Sequence, residues 1–249
     1  MARLNVLAWG VPEAPRVCVA LHGITANAGS WTRPARLLAE RGWRVLAPDL
    51  RGHGESPRAD GDFRTATLLA DIAESVPTAP DVLIGHSFGG YLAQMAVLDR
   101  VMRPRALLLE DPVSVQPDAA VPTAMLAWDE ANLPRSIDGL LALNPGWNRL
   151  DAAWKLLSLE QIDFADARAA FAGNAPWDMR PRAARVAAIT RTAWIVPEVS
   201  RFVPVADRER LIRDVGTAAV VVVPGAGHSV HRDMTERFVA LVESLAARP

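Results

Sequence analysis

Ser87 stands in Gly85-His86-Ser87-Phe88-Gly89, directly after the apolar run Val82-Leu83-Ile84 and before a helix-like stretch, Tyr91 to Arg100. Strand, sharp turn and helix in that order lift one hydroxyl above the edge of a sheet. The glycines at 85 and 89 let strand and helix approach closely around the turn. A serine hydroxyl is a weak nucleophile at neutral pH and needs a base to take its proton as it attacks. Of the five histidines, His228 fits that role best. It closes Pro224-Gly225-Ala226-Gly227-His228, a tight loop after the apolar run Ala218 to Val223 that can carry an imidazole over the sheet edge. His22 and His53 lie in glycine-flanked turns that suit structural hydrogen bonds, His86 is aimed away from the serine by the turn, and His231 opens the last helix. The chemistry these types imply is acyl transfer. Its tetrahedral intermediate needs N–H donors aimed at the developing oxyanion, each worth about 3 kcal/mol. The N–H of Phe88, next after the serine, is one candidate, and that of Ile24 in Leu21-His22-Gly23-Ile24 is the second.

Such groups converge only if a rigid sheet carries them. Apolar strand-like runs at Val17–Leu21, Trp43–Ala47, Asp81–Ile84 and Arg105–Leu109 alternate with helical spacing at Trp31–Arg41, Thr65–Ser75 and Phe88–Asp99. Short strands separated by helices of about ten residues imply βαβ units and a parallel sheet covered on both faces. The rhythm breaks from Pro112 to about Arg185, where only helical stretches stand, around Ile137–Leu143, Leu150–Leu159 and Phe164–Phe171. It resumes with Thr192–Val196, a helix around Asp207–Asp214, the strand Ala218–Val223 and a closing helix, Met234–Ala247. The expected architecture is therefore an α/β core domain built from 1–111 and 186–249, with a helical insertion at 112–185.

The chain resembles the α/β-hydrolase superfamily, in its serine-nucleophile, helical-cap form. Beyond the serine turn the resemblance rests on Leu21-His22-Gly23-Ile24 with Trp31 downstream, on Ala47-Pro48-Asp49-Leu50-Arg51-Gly52-His53-Gly54-Glu55-Ser56, and on Pro224-Gly225-Ala226-Gly227-His228. It implies a mostly parallel sheet with helices on both faces and a cap over the site, and it makes Asp49–Ser56 a structural loop. The resemblance implies that the acid of the triad lies just beyond a strand, a few residues before a Val-Pro, and here that position is Ser200, ahead of Val203-Pro204. Three acids remain open. Asp111, in Glu110-Asp111-Pro112 at the end of the strand before the insertion, is preferred, because some relatives place their acid there; Glu198 and Glu110 are the alternatives.

The insertion holds Trp128, Trp147, Trp154 and Trp177, most of them suited to packing. Trp31, Trp128 and Trp154 are the candidates for lining an apolar pocket under the cap. Arg149, Lys155 and Arg168 are expected on solvated helix faces, so no charged group is assigned to substrate recognition. Composition narrows the rest. The chain has 249 residues, half of them hydrophobic, and a formal charge of −1 with no basic run, which argues against a nucleic-acid partner. No stretch reaches the roughly 18 apolar residues of a membrane span, and Met1-Ala2-Arg3-Leu4-Asn5 has no apolar signal core, so a cytoplasmic protein is expected. Cys18, the only cysteine, falls in an apolar run and is expected as a buried thiol. The expectation is a monomeric or homodimeric serine hydrolase acting on a moderately apolar ester, thioester or lactone, with no cofactor and no metal. Carbon–carbon bond hydrolysis and perhydrolysis use the same machinery, and the displaced acid leaves open a slow or inactive ligand-binding protein on the same scaffold.

Overall fold

A computed structural model describes residues 1–113, 120–174, 177–200 and 202–247. Its centre is one seven-stranded sheet: β1 (Val6–Trp9), β2 (Arg16–Leu21), β3 (Trp43–Pro48), β4 (Val82–His86), β5 (Ala106–Glu110), β6 (Arg191–Pro197) and β7 (Val220–Val223). The order across the sheet is β1-β3-β2-β4-β5-β6-β7. Only β1 runs antiparallel, pairing Val6 with Pro48 and Trp9 with Val45; the pairs from β3–β2 through β6–β7 are parallel. This is the α/β class read from the alternation of strand and helix.

The inner strands are almost wholly apolar because both faces are covered, and their two-residue period sorts the side chains into two cores. Val19, Leu21, Leu83, Leu107 and Leu109 point to one core. Cys18, Ala20, Val82, Ile84, Ala106 and Leu108 point to the other, against α1 (Thr32–Glu40) and α11 (Thr235–Ala247) through Leu38, Phe238 and Val242. The thiol of Cys18 is thus buried as expected. The first core packs under α2 (Thr65–Ser75) and α3 (Phe88–Leu98), whose apolar faces are buried by Leu68, Leu69, Ile72, Leu92 and Ala96.

Between β5 and β6 lie α4 (Ala120–Asn132), α5 (Ile137–Leu143), α6 (Arg149–Gln161), α7 (Phe164–Gly173) and α8 (Ala183–Ile189). Helix α4 packs on α7 and α5 on α6, whereas α8 packs on α3, β6 and α9 (Val205–Val215), with the sheet rather than with its predecessors. Helix α6 opens with a capping box between Asn148 and Asp151. Residues 114–119 and 175–176 of the expected cap, 112–185, lie outside the described residues. An aromatic cluster bolts the insertion to the core: Trp177 meets Tyr91 of α3 at 4.4 Å and Phe171 of α7 at 5.0 Å. Trp177 also donates its indole N–H to the Phe171 carbonyl.

Several elements differ from the sequence reading. Strand β1 was not anticipated, being short, at the sheet edge and only partly buried. Helices α4 and α8 were not anticipated either. Finally, the closing segment divides: a four-residue helix, α10 (Val230–Asp233), carries His231, and α11 begins only at Thr235.

Candidate active site

The serine turn is as tight as its glycines suggest. Ser87 has φ +53° and ψ −114°, a conformation that non-glycine residues rarely adopt and that stores local strain. A Cβ on Gly89 would come within 2.4 Å of the Leu21 carbonyl oxygen, and one on Gly85 within 2.5 Å of the Gly89 carbonyl oxygen. The turn is held by its neighbour strand: the Ser87 N–H donates to the Glu110 carbonyl at 3.0 Å, and the Val113 N–H donates to the Ser87 carbonyl at 3.1 Å.

β5 ends one register step away, where Glu110 and Asp111 diverge. Asp111 also takes a positive φ, +36°, and its N–H is tied to the Ile195 carbonyl at 2.8 Å. Its buried carboxylate accepts from His228 Nδ1 at 2.7 Å. The other carboxylate oxygen accepts from the hydroxyl of Ser200, which in turn accepts from the N–H groups of Phe202 and Val203. Ser200, at the position where relatives carry the acid, thus holds the carboxylate that β5 supplies. Glu198 lies on the surface, its backbone bonded to Val223 and Arg208. Glu110 points the other way, into full burial, where its carboxylate accepts from both the N–H and Nδ1 of His231. Burial pushes Glu110 up to about 8 and His231 well below its ordinary value, each toward its neutral form. The site therefore contains two acid–histidine pairs from adjacent residues, Asp111–His228 and Glu110–His231.

The remaining histidines hold loops. His22 Nδ1 donates to the Gly23 carbonyl and Nε2 accepts from the Leu50 N–H at 3.0 Å, so burial pushes it down to about 3. His53 bonds the Ile24 carbonyl at 2.7 Å, steadying the turn that carries the Ile24 N–H. His86 stacks on His228 with ring centroids 4.5 Å apart and meets the His228 carbonyl at 3.0 Å; it is part of the cluster, not aimed away from it. Among the described residues, neither the Ile24 nor the Phe88 N–H has an acceptor within the chain; the Phe88 group is one of the open donors at the start of α3. His86, Glu110 and His231 bring one potential ligand atom each within 4.8 Å of one another. The Glu110 oxygens are engaged by His231, so the trio has the bonding of a hydrogen-bonded core.

A cleft of about 150 Å³ opens on Ser87 and His228. Gly23, Ile24 and Thr25 form one wall, and Met125 of α4, Leu133 just after it, and Leu140 and Leu143 of α5 supply the apolar opposite side with Trp147. The three tryptophans expected there do not line it. Trp31 is buried beneath, stacked on His231 at 4.4 Å and against Phe238. Trp128 faces solvent, 47% exposed. Trp154 packs over Gly29, whose missing Cβ makes room for the indole.

Two cations that the sequence reading passed over do line it. Lys155 is not on a solvated face: its ammonium is buried and donates to the Thr25 carbonyl at 2.7 Å and the Thr25 hydroxyl at 2.8 Å. Burial pushes it down to about 7, with Asp129 opposing and Arg232 adding to the shift. Arg232, buried in α10, lies over the Trp147 ring at 4.5 Å. Arg149 and Arg168 are surface residues, as expected, paired with Asp138 and Glu130. A sequence signal for Lys155 existed: it is the only lysine in a chain rich in arginine.

Comparison with known proteins bears on the family and the fold. A profile of the alpha/beta hydrolase family matches residues 18–241. Lipase LipV of Mycobacterium tuberculosis is 31% identical over 180 residues, covering 72% of this chain and 58% of the lipase. An sn-1-specific diacylglycerol lipase of Mus musculus is 24% identical over 92% of this chain and 80% of its own. In fold, the chain is similar to an enol-lactonase from Burkholderia xenovorans, with TM-score 0.75 at 19% identity over 98% of this chain and 96% of the other. It is also similar to a thioesterase domain of curacin biosynthesis, with TM-score 0.72 at 22% identity over 96% and 94% of the two chains.

Proposed function

Because this chain belongs to the alpha/beta hydrolase family, we propose that it is a serine hydrolase that cleaves a small ester, thioester or lactone through an acyl-enzyme on Ser87. The observation that carries this reading is the 2.7 Å contact between His228 Nδ1 and Asp111, in a cleft that also opens on the strained Ser87 turn. Ser87 Oγ attacks the carbonyl carbon as His228 Nε2 takes its proton. The buried Asp111 carboxylate fixes the tautomer with Nδ1–H toward it and stabilises the imidazolium. The N–H groups of Ile24 and Phe88 receive the oxyanion, His228 returns the proton to the leaving group, and water admitted to the same base releases the acid. The case for an inactive ligand-binding protein rested on the displaced acid, and Asp111 beside His228 removes that motive.

The cleft volume of about 150 Å³ is below the roughly 300–1,000 Å³ of drug-sized pockets, which favours short acyl groups. On p-nitrophenyl esters, acetate to butyrate are expected to outpace octanoate and longer chains. Ser87→Ala is expected to abolish turnover and labelling by a fluorophosphonate while circular dichroism stays native. A Ser87→Ala protein that keeps most of its activity would overturn the reading.

A further inference from the structure

Buried polar side-chain atoms in folded proteins nearly always have a partner. Three residues lining this cleft break that rule together: Ser30 Oγ, His231 Nε2, and both Nε and Nη2 of Arg232 are buried without a hydrogen bond. Arg232 is the telling case. Its guanidinium is held by stacking on Trp147, and its main-chain carbonyl is gripped by Arg33 Nη1 at 3.1 Å, so the side chain is fixed in place. Nε and Nη2 form one edge of the guanidinium, a fork whose two N–H vectors match the two oxygens of a carboxylate.

Among the described residues the same molecule shows three times what that edge takes. Arg51 presents Nε and Nη2 to the two oxygens of Asp71, at 2.5 and 2.9 Å, Arg64 presents the same pair to Asp62, at 2.8 and 2.9 Å, and Arg180 to Asp178, at 2.7 and 2.6 Å. Among the described residues Arg232 has no such partner, although carboxylates stand near it. Asp151 is occupied by Arg33 and by the Asn148 N–H, Asp233 by the Trp147 and Gly227 N–H groups, and Glu110 by His231. Lys155 adds a second basic group to the same cleft; burial is the main cause of its lowered value, and repulsion from Arg232 adds to it. An anion entering the cleft relieves that repulsion.

We propose that the guanidinium of Arg232, a buried cation in the cleft wall with no ion pair among the described residues, is the seat of a substrate carboxylate, so that the substrate class is an ester, thioester or lactone bearing a second, ionised acid, such as the half-ester of a dicarboxylic acid. This rests on the serine-hydrolase reading for the bond that is cut, but not for the binding. The carboxylate orients the substrate with its neutral acyl carbon toward Ser87, and the chain between the two groups sets the length preferred.

The test pairs monomethyl succinate through monomethyl suberate with counterparts in which the free carboxylate is a neutral carboxamide. Binding is measured by calorimetry on Ser87→Ala protein, and kcat/KM on the wild type. At one chain length the acid is expected to exceed its amide by about tenfold or more in both, the strength of a charge-assisted hydrogen bond. Arg232→Met is expected to erase that ratio, and Arg232→Lys, which keeps the charge without the fork, to retain only part of it. No acid preference at any length in the Ser87→Ala binding, or a preference that survives Arg232→Met, overturns the proposal. Because the binding ratio is read with Arg232 intact, an Arg232 variant that fails to fold does not protect it. Cleavage of the amides without acid preference would sink this inference and leave the hydrolase reading standing; binding preference without turnover would do the reverse.

Discussion

Two neighbouring acids at the end of β5 serve two different histidines, and the reason is local. Successive side chains at a strand end point to opposite sides, so Glu110 is driven into the core beside His231 while Asp111 turns out toward His228. The positive φ of Asp111 and the Ser200 hydroxyl complete its aim. Asp111→Asn is expected to lower kcat on a p-nitrophenyl ester by about 10³-fold or more, because an amide no longer fixes the imidazole in the productive tautomer. Glu198→Gln, at an exposed residue whose bonds run through its backbone to Val223 and Arg208, is expected to leave kcat unchanged. Equal losses in the two variants, measured side by side, would contradict the assignment of the acid. The proposed nucleophile, base and oxyanion donors were legible as types in loops of distinctive spacing. The acid was legible only as a choice among three, because linear distance does not say which way a side chain leaves a strand.

At the scale of elements, the serine turn works because three backbones nearly touch. The carbonyls of Leu21 and His22 lie 2.4 and 2.6 Å from where a Gly89 Cβ would sit, and these are main-chain atoms that cannot swing aside. Gly89→Ala is therefore expected to destabilise the fold by about 1–3 kcal/mol, the usual cost of overpacking a tight site. For a chain of this size, about 1 kcal/mol corresponds to roughly 2–4 °C in Tm, and differential scanning calorimetry reads it directly. A Tm equal to wild type would mean that strand and helix are not packed so closely. Strands buried on both faces were legible as unbroken apolar runs. Strand β1 was not: its residues, Val6-Leu7-Ala8-Trp9, are apolar, but the run is short and ends at Gly10, so nothing marks it as a strand. Helix α4 was masked by Pro122, which a first turn tolerates but which interrupts a helical pattern on paper.

The whole molecule places a helical insertion against the turn of Ile24, and Lys155 bonds the two. An ammonium from α6 donates to both the carbonyl and the hydroxyl of Thr25, next to Ile24. Ser158 of the same helix donates to that carbonyl at 3.0 Å. Burial lowers Lys155 to about 7 in the folded chain, against an ordinary value of 10.5. Between those values the unfolded chain holds a proton that the folded chain has lost, so this group makes stability rise with pH from about 7 upward. Lys155→Met is expected to remove that rising component, seen as a flatter pH dependence of the urea midpoint between pH 7 and 9 than in wild type. An unchanged slope would show that the ammonium stays charged in the fold. Among the described residues, no helix is long and apolar enough to cross a membrane.

The sequence by itself determined the fold class, the strand-turn-helix around Ser87, the loop of His228 and the turn of Ile24. Each of these is written in contiguous residues: apolar runs set the strands, and glycines set the turns between them. Only the tertiary structure decided which acid faces His228, which aromatic rings line the cleft, and that Arg232 and Lys155 stand inside it. Those outcomes depend on contacts between segments far apart in the chain: Asp111 with His228 and Ser200, Trp31 under His231, Lys155 with Thr25. Burial and direction arise only when the sheet edge, the insertion and the final loops close over one another.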